Sequence, residues 1–306
     1  MSVEVQLTHK LEGHLGAVYA LSSNVSKDTL WSAGGDGLII AWDLSGGQIG
    51  QVVAQTHQRV FCLKYFDDFD YLIAGTMEGH IFFIKPGNIQ QTKNYKVHRG
   101  AVYRIISIEH KIFAFGEDGT ISHWDLPENA LVFHAKICNH RLRSAAYDSS
   151  TNSIYAGDHQ GNVYRLDPSD LHLLEVQTHR HRSTVFSMIY DVPTNQLITG
   201  GMDARICFSK GLEQNVQCFN AHWFCINDLC AMTGTDLLAS ASRDKSIRIW
   251  NKTNGDLVKE ISSPNFAAHR HSVNALVWNT FQSKLYSSGD DRMIYCWKIK
   301  PDYDPQ

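Results

Sequence analysis

The 306-residue sequence lacks any apolar run long enough for a membrane anchor or a signal peptide. No segment approaches the roughly 18 consecutive apolar residues of a transmembrane helix, and no charged region followed by an apolar one opens the chain. A Gly-rich phosphate loop is also lacking, because the Gly-Asp-Gly turns lie between strand-like runs and open no helix. We therefore expect a cytoplasmic protein without a membrane anchor.

Paired cysteine motifs and a large excess of charge of one sign are both lacking. The seven cysteines are scattered and form no CxxC pair, which favours buried free thiols in a reducing compartment. The formal net charge of −3 and the pI near 6.6 argue against a nucleic-acid partner, since general nucleic-acid binders are usually basic. Hydrophobic content of 43% and charged content of 19% are typical of an ordinary soluble globular protein.

What the sequence does contain is a repeated unit, first seen from Gly13 to Asp43. Short runs of Val, Ile, Leu and Tyr alternate there with turns, which predicts strand, turn, strand, turn, strand. The unit recurs every 41 to 47 residues, and the histidines that open the seven units are His14, His57, His98, His140, His181, His222 and His269. A second marker in the second turn keeps the same period at Asp36, Glu78, Asp118, Gln160, Asp203, Asp244 and Asp291.

The repeat resembles the WD-repeat family over nearly the whole chain. Trp42-Asp43 and Trp124-Asp125 carry the Trp-Asp pair intact, whereas Trp250 and Trp297 keep only the tryptophan. The resemblance implies an all-β fold, a single seven-bladed β-propeller over residues 1–306 with one blade for each unit. Val3 to Leu7 alternates apolar and polar residues as a strand does, and the seventh unit has only three strands. We expect this N-terminal strand to complete the last blade and close the ring.

The family resemblance also implies a hydrogen-bonded tetrad of His, Ser or Thr, Asp and Trp in each blade. Three units keep every member: His14, Ser32, Asp36 and Trp42; His222, Ser240, Asp244 and Trp250; and His269, Ser287, Asp291 and Trp297. Unit three has Ala114 at the hydroxyl position, unit five keeps His181, Thr199 and Asp203, and units two and four are degenerate. A Ser-His-Asp catalytic triad is the alternative interpretation, but the set recurs from blade to blade and an active site would not.

The same resemblance assigns three positions per blade to the top face, where WD-repeat proteins bind partners. Aromatic residues dominate the position nearest the channel, which is occupied by Tyr19, Phe61, Tyr103, Ala145, Phe186, Asn227 and Asn274. The candidate partner-binding residues are Tyr19, Phe61, Tyr103, Phe186, Arg59, Arg143, Met77, Met202, His159 and Arg243. Aromatic, Met and Arg side chains are those that interface cores favour, and clustered aromatic faces could hold a cation of a ligand. Aromatics that simply plug the channel remain an alternative.

The sequence thus predicts a non-catalytic scaffold that binds a peptide or protein segment on the top face, with no cofactor and no metal site. His179-Arg-His181 and His269-Arg-His271 each include a tetrad residue and have no further ligand at metal spacing. Two other functions stay open. One is a structural subunit that contacts its assembly along the blade edges as well as the top face, which the pair Trp223-Phe224 would fit. The other is a propeller enzyme with a site in the channel, although no nucleophile or carboxylate pair converges on the channel positions.

Overall fold

Runs of branched and aromatic residues between turns form 28 strands, which pair into seven four-stranded antiparallel sheets. The computed structural model describes residues 2–24, 28–45, 49–213 and 215–302, without the side chains of residues 301 and 302. Within these ranges the only helical segments are two 3-10 turns, Asp67–Phe69 and Ile89–Gln91. No helix in the described ranges has the length and apolar character that a membrane crossing requires.

Each sheet is one blade of a ring, with its first strand lining a central channel and its fourth strand outermost. Blades one to three are Val18–Ser23, Thr29–Gly34, Leu38–Asp43 and Gly50–Gln55 (β2 to β5); Val60–Phe66, Tyr71–Thr76, His80–Ile84 and Lys93–Lys96 (β6 to β9); and Val102–Ile108, Lys111–Gly116, Thr120–Asp125 and Ala130–Lys136 (β10 to β13). Blades four to six are Leu142–Asp148, Ser153–Asp158, Val163–Leu166 and Leu173–Gln177 (β14 to β17); Val185–Asp191, Gln196–Gly201, Arg205–Ser209 and Gln217–Asn220 (β18 to β21); and Ile226–Met232, Leu237–Ser242, Ile247–Asn251 and Leu257–Ile261 (β22 to β25).

Blade seven joins the two ends of the chain. Its first three strands are Val273–Asn279, Lys284–Gly289 and Met293–Asp302 (β26 to β28), and its outermost strand is Ser2–Glu12 (β1). β1 runs antiparallel to β28 from Ser2 opposite Asp302 to Glu12 opposite Met293, with one irregularity between Leu7 and His9. The predicted ring closure by the N-terminal strand is confirmed, and so is the seven-bladed fold.

Burial follows the position of each strand within its blade. Every residue of the second strands β15 and β23 is buried, because blades pack against both faces of these strands. The outermost strands β13 and β17 are mostly exposed. The core is therefore divided into apolar clusters between neighbouring blades, such as the one where Trp42 and Leu30 of blade one meet Tyr286 of blade seven.

Inner-strand side chains also join neighbouring blades by hydrogen bonds. The Ser144 hydroxyl donates to the backbone oxygen of Val185 at 2.8 Å, which links blades four and five. Asp228 of blade six accepts a hydrogen bond from the Ser187 hydroxyl of blade five and another from the backbone N–H of Leu276 in blade seven. These bonds fix the spacing of the inner strands, and hence the width of the channel.

Candidate functional site

The tetrads form closed hydrogen-bond networks inside the blades. In blade one, His14 Nδ1 lies 2.9 Å from Asp36 Oδ2 and His14 Nε2 lies 2.7 Å from Ser32 Oγ, while Trp42 Nε1–H donates to Ser32 Oγ at 2.8 Å. The two other complete sets have the same contacts within 2.7–2.9 Å, centred on His222 and His269. Because Asp36 accepts from Nδ1, Nε2 accepts the serine proton, and every polar group in the set is satisfied.

Blade three has a tetrad that the sequence alignment misses. Ala114 stands at the usual hydroxyl position, but it pairs directly across the sheet with Ser122 of β12. The Ser122 hydroxyl lies 2.9 Å from His98 Nε2 and accepts a hydrogen bond from Trp124 Nε1 at 2.9 Å. The interpretation of unit three as an incomplete tetrad is therefore wrong, because the hydroxyl comes from the neighbouring strand.

In blade five an arginine from another part of the repeat supplies the N–H group that tryptophan supplies in the complete tetrads. His181 contacts Thr199 and Asp203 at 2.9 Å each, and Ser209 stands in place of the tryptophan. Arg180 is buried, and its Nε–H donates to Thr199 Oγ1 at 2.9 Å, as the indole N–H does in the complete tetrads. Burial lowers the pKa of Arg180 to about 10. Nothing in the sequence indicated that Arg180, the residue before the tetrad histidine, has this role.

The tetrad carboxylates make the fold sensitive to acid. Burial would raise the pKa of Asp36, but hydrogen bonds from His14 and from the backbone N–H groups of Leu15 and Leu38 hold it at about 2. In the same way the pKa values of four further carboxyl groups are lowered against the effect of burial by their tetrad histidines: Asp118, Asp203, Asp244 and Asp291.

We expect the free energy of unfolding to fall steeply between about pH 4 and pH 2. The folded pKa values lie below the unfolded value of about 3.9, so these groups stabilise the fold above pH 4, and their contribution is lost as the pH falls through the folded pKa. Urea titrations at several pH values would measure this. Asp244→Asn should be less stable at neutral pH and depend less steeply on pH, whereas the exposed Asp68→Asn should match the wild type. Equal pH dependence in all three proteins would contradict the assignment.

Seven inner-strand residues form a ring at the channel mouth, each one position after the apolar residue that opens its strand. This mouth ring consists of Tyr19, Phe61, Tyr103, Arg143, Phe186, Asn227 and Asn274, all of which line the channel. The ring centroids of Tyr19 and Phe61 are 5.4 Å apart, and those of Phe61 and Tyr103 are 5.8 Å apart. Blades one to three therefore present a continuous, partly exposed aromatic surface.

The sequence alignment placed blade four wrongly by two residues. Arg143, not Ala145, occupies the mouth ring, and Ala145 is buried. In every blade a backbone N–H of the second turn donates to the loop before the first strand, at 2.7–3.1 Å. These bonds run from Gly35 to Ala17, Met77 to Arg59, Glu117 to Ala101, His159 to Arg141, Met202 to Thr184, Arg243 to Cys225 and Asp290 to Ser272. In blade four Arg141, and not Arg143, is therefore the loop residue that accepts this hydrogen bond.

Arg143 fills the cation position between two aromatic rings of the mouth. Its guanidinium carbon lies 3.9 Å from the centroid of the Tyr103 ring and 4.8 Å from that of Phe186. The protein's own arginine therefore occupies the faces of Tyr103 and Phe186. The hypothesis that the mouth aromatics receive a cation of a ligand is limited to the other two rings, Tyr19 and Phe61. The Tyr19 and Phe61 pair has no such contact among the described residues.

The other predicted top-face residues surround the mouth ring. Arg59, Met77, His159, Met202 and Arg243 are all exposed. Asn227 and Asn274 on blades six and seven instead donate their amide N–H groups to backbone oxygens of the next blade, at 2.8 and 3.2 Å. The structure thus brings the predicted candidates to one face and divides the mouth into an aromatic half and a polar half.

Three channel residues with ionisable side chains were missed by the sequence analysis. Lys64, Arg104 and Asp228 line the channel below the mouth, and Arg104 Nη1 lies 3.9 Å from Asp228 Oδ1. The channel also contains Cys62 and Cys230, and burial raises the pKa of both thiols to about 12. Asp228 is the one carboxylate among the described residues that line the channel.

The prediction that the cysteines are free thiols is wrong for one pair. Cys207 and Cys218 are directly opposite each other on β20 and β21, with Cα atoms 4.1 Å apart, and they form a disulfide. The remaining five cysteines are free. The cytoplasmic location stays a prediction.

Blade four contains a cluster of groups with the chemistry of metal ligands. The ligand atoms of Cys138, His140 and Asp158 lie within 4.8 Å of one another. The oxygens of the buried Asp158 already accept hydrogen bonds from the N–H groups of Gln160 and Asn162 and from the Tyr164 hydroxyl. These bonds account for the position of Asp158, which replaces the tetrad as the polar centre of this blade.

Comparison with known proteins places these features in a family context. Residues 5–43, 213–251 and 260–298 match the family model described as WD domain, G-beta repeat. The chain is 23% identical over 310 residues to autophagy-related protein 16 of Arabidopsis thaliana, covering 94% of this chain and 57% of that protein. It is also 23% identical over 305 residues to actin-interacting protein 1 of Caenorhabditis elegans, covering 94% of this chain and 47% of that protein.

The solved structures include a close match in fold. The crystal structure of the WD40 β-propeller domain of Doa1 superimposes with a TM-score of 0.84 at 17% sequence identity, covering 99% of this chain and 98% of that one. At this identity the match shows the fold alone. The chain spans about half the length of the curated relatives that it matches over most of its own length.

Proposed function

We propose that this seven-bladed WD-repeat β-propeller is a non-catalytic interaction platform that binds a peptide or protein segment across the channel mouth on its top face. The observation that carries the proposal is the aromatic half of the mouth ring, formed by Tyr19, Phe61 and Tyr103. These rings are partly exposed and held by rigid strands at the centre of one face.

Aromatic side chains in such a position suit a protein ligand. They bury large areas at little cost in side-chain entropy, and hot spots of interfaces lie near the centre of the contact surface. Exposed Arg59 and Met77 of blade two lie on the same face as Phe61, and they belong to residue types enriched in interface cores. The relatives include an actin-interacting protein and a non-catalytic subunit of a tRNA methyltransferase, which supports a platform role.

The chemistry of the channel supports an enzyme poorly. Asp228 is the one carboxylate among the residues lining the described channel, and hydrogen bonds from two neighbouring blades hold both of its oxygens. The raised pKa values of Cys62 and Cys230 keep both thiols protonated near neutral pH, so neither is an activated nucleophile. The His-Ser-Asp sets lie within the blades and are closed by tryptophan or arginine donors.

A second candidate function is that of a subunit held in an assembly by its blade edges. The outermost strands of the neighbouring blades three and four expose a group of apolar side chains, Leu131, Val132, Leu173, Leu174 and Val176. Trp223 and Phe224 are 83% and 58% exposed on the loop that enters blade six, so they would extend such contacts from the edges onto the top face. Exposed apolar side chains on edge strands are common protein contact sites.

The test compares capture of proteins from native extract by the wild type and by Phe61→Ala/Tyr103→Ala. A captured partner should bind the double variant at least about thirtyfold more weakly, because loss of one aromatic hot spot costs roughly 2 kcal/mol. Leu131→Ala/Leu174→Ala is the matched control, since it removes two exposed apolar side chains from the outer strands. Loss of the partner from the control alone would support the edge-contact function, and equal capture by all three proteins would contradict the top-face proposal.

A further inference from the structure

The channel, taken together with its mouth ring, has a charge opposite to that of the whole protein. It encloses about 720 Å³, and its charged lining residues are Lys64, Arg104, Arg143 and Asp228. Three cations against one carboxylate leave an excess of two positive charges, whereas the whole chain has a formal net charge of −3. Walls of low dielectric around charges of one sign focus the electric field and attract ions of the other sign.

Asp228 does not neutralise this channel. The side chain is buried, and its Oδ1 accepts from the Ser187 hydroxyl at 3.1 Å and from the backbone N–H of Leu229 at 3.0 Å. Its Oδ2 accepts from the backbone N–H of Leu276 at 2.9 Å. Arg104 lies 3.9 Å away, at the outer limit of an ion pair. The carboxylate therefore serves mainly to join blades five, six and seven.

Lys64 lies in the channel without a carboxylate at ion-pair distance. Among the described residues no carboxylate oxygen lies within 4.0 Å of its ammonium group. Its side chain is exposed to the channel space, yet protein surrounds it. Burial together with the positive charge of Arg104 lowers its pKa against the opposing charge of Asp67. Two cations that repel each other in a partly desolvated space are stabilised by an anion that contacts both.

Arg143 stands at the entrance to this space. Its guanidinium carbon lies over the rings of Tyr103 and Phe186, which hold the positive charge at the channel mouth. In-plane N–H groups of arginine match the oxygens of phosphate and carboxylate groups. An anion that enters from the top face therefore passes a fixed cation before it reaches Arg104 and Lys64.

We propose that the channel binds a phosphoryl group between Lys64 and Arg104, below the aromatic half of the mouth. A phosphate monoester carries about −1.5 to −2 charges at neutral pH, so the excess positive charge of the channel lining attracts it more strongly than a carboxylate, which carries only one. The group belongs either to a phosphorylated side chain of the segment bound at the mouth or to a free polyphosphate. The first source rests on the proposed function, and the second does not.

Calorimetric titration with inorganic pyrophosphate at low ionic strength tests the site without any partner. The wild type should bind saturably, and Lys64→Met and Arg104→Met should each weaken binding about tenfold or more. Lys93→Met, which removes one charge from an exposed outer strand, should change the affinity less than twofold. No saturable binding by the wild type, or equal binding by Lys64→Met and Lys93→Met, would overturn the proposal. Lys64→Met removes a cation that has no carboxylate at ion-pair distance, so its melting temperature should not fall, and it carries the test if Arg104→Met unfolds.

Partner capture with Lys64→Met then separates the two sources. Loss of the partner from Lys64→Met, and loss from the wild type after phosphatase treatment of the extract, would assign the group to a phosphorylated side chain. Capture that survives in Lys64→Met while pyrophosphate binding is lost would assign it to a free polyphosphate. Because the titration uses no partner, the channel site and the platform at the mouth can fail independently.

Discussion

A chain that lacks residues 1–12 is expected to lose the folded ring. β1 pairs with β28 along its whole length and buries Val3 and Leu11, which are 4% and 1% exposed. Loss of large buried side chains costs about 2–5 kcal/mol each, and the hydrogen bonds of the strand pair are lost as well. The total is comparable with the roughly 5–15 kcal/mol that stabilises a whole domain.

Thermal unfolding followed by circular dichroism measures this effect. The truncated protein should be insoluble or should melt at least about 10 °C below the wild type. A peptide with the sequence of residues 2–12 should restore part of the melting temperature, and a scrambled peptide of the same composition should not. A truncated protein with the melting temperature of the wild type would show that the ring does not depend on β1.

Ser122→Ala is expected to destabilise the protein by about 2–5 kcal/mol, far more than a typical loss of one buried hydroxyl. The substitution leaves His98 Nε2 and Trp124 Nε1–H without a partner inside blade three, and each unsatisfied buried group costs about 1–3 kcal/mol. Urea unfolding of the wild type and the variant would give the difference in the free energy of unfolding.

The direct pairing of Ala114 with Ser122 supplies a compensating variant. In blade one the hydroxyl is on the second strand, where Ser32 faces Ile40 of the third. Ala114→Ser combined with Ser122→Ala moves the hydroxyl of blade three to that arrangement and should recover most of the lost stability. If Ser122→Ala were as stable as the wild type, or if Ala114→Ser gave no recovery, the tetrad in blade three would be excluded.

The sequence predicts the blades well because each repeat has several characteristic residues at fixed spacings from one another. His14, Ser32, Asp36 and Trp42 are spaced by the strand lengths and turns of one blade, so the same spacing around His222 and His269 identifies further blades. The alignment fails where one marker stands alone. His140 lies two residues before the apolar residue that opens its strand, whereas a tetrad histidine lies four before, and the positions after His140 were therefore assigned to the wrong residues.

The remaining features depend on contacts between strands that are distant in sequence. Ser122 replaces a hydroxyl from the neighbouring strand, and Arg180 replaces the N–H of a tryptophan, so neither matches the repeat pattern. Lys64, Arg104 and Asp228 come from three different blades and meet only because the closed ring brings the inner strands together. No spacing within one repeat reveals such a group.

Hydrogen–deuterium exchange of the protein with and without a captured partner tests the central claim most directly. The top-face account predicts slower exchange on binding in the loops that precede β2, β6 and β10 and at the starts of these strands, which hold Tyr19, Phe61 and Tyr103. Exchange in the outermost strands β13 and β17 should not change. Protection confined to β13 and β17, with unchanged exchange around the mouth ring, would contradict the account and assign binding to the blade edges.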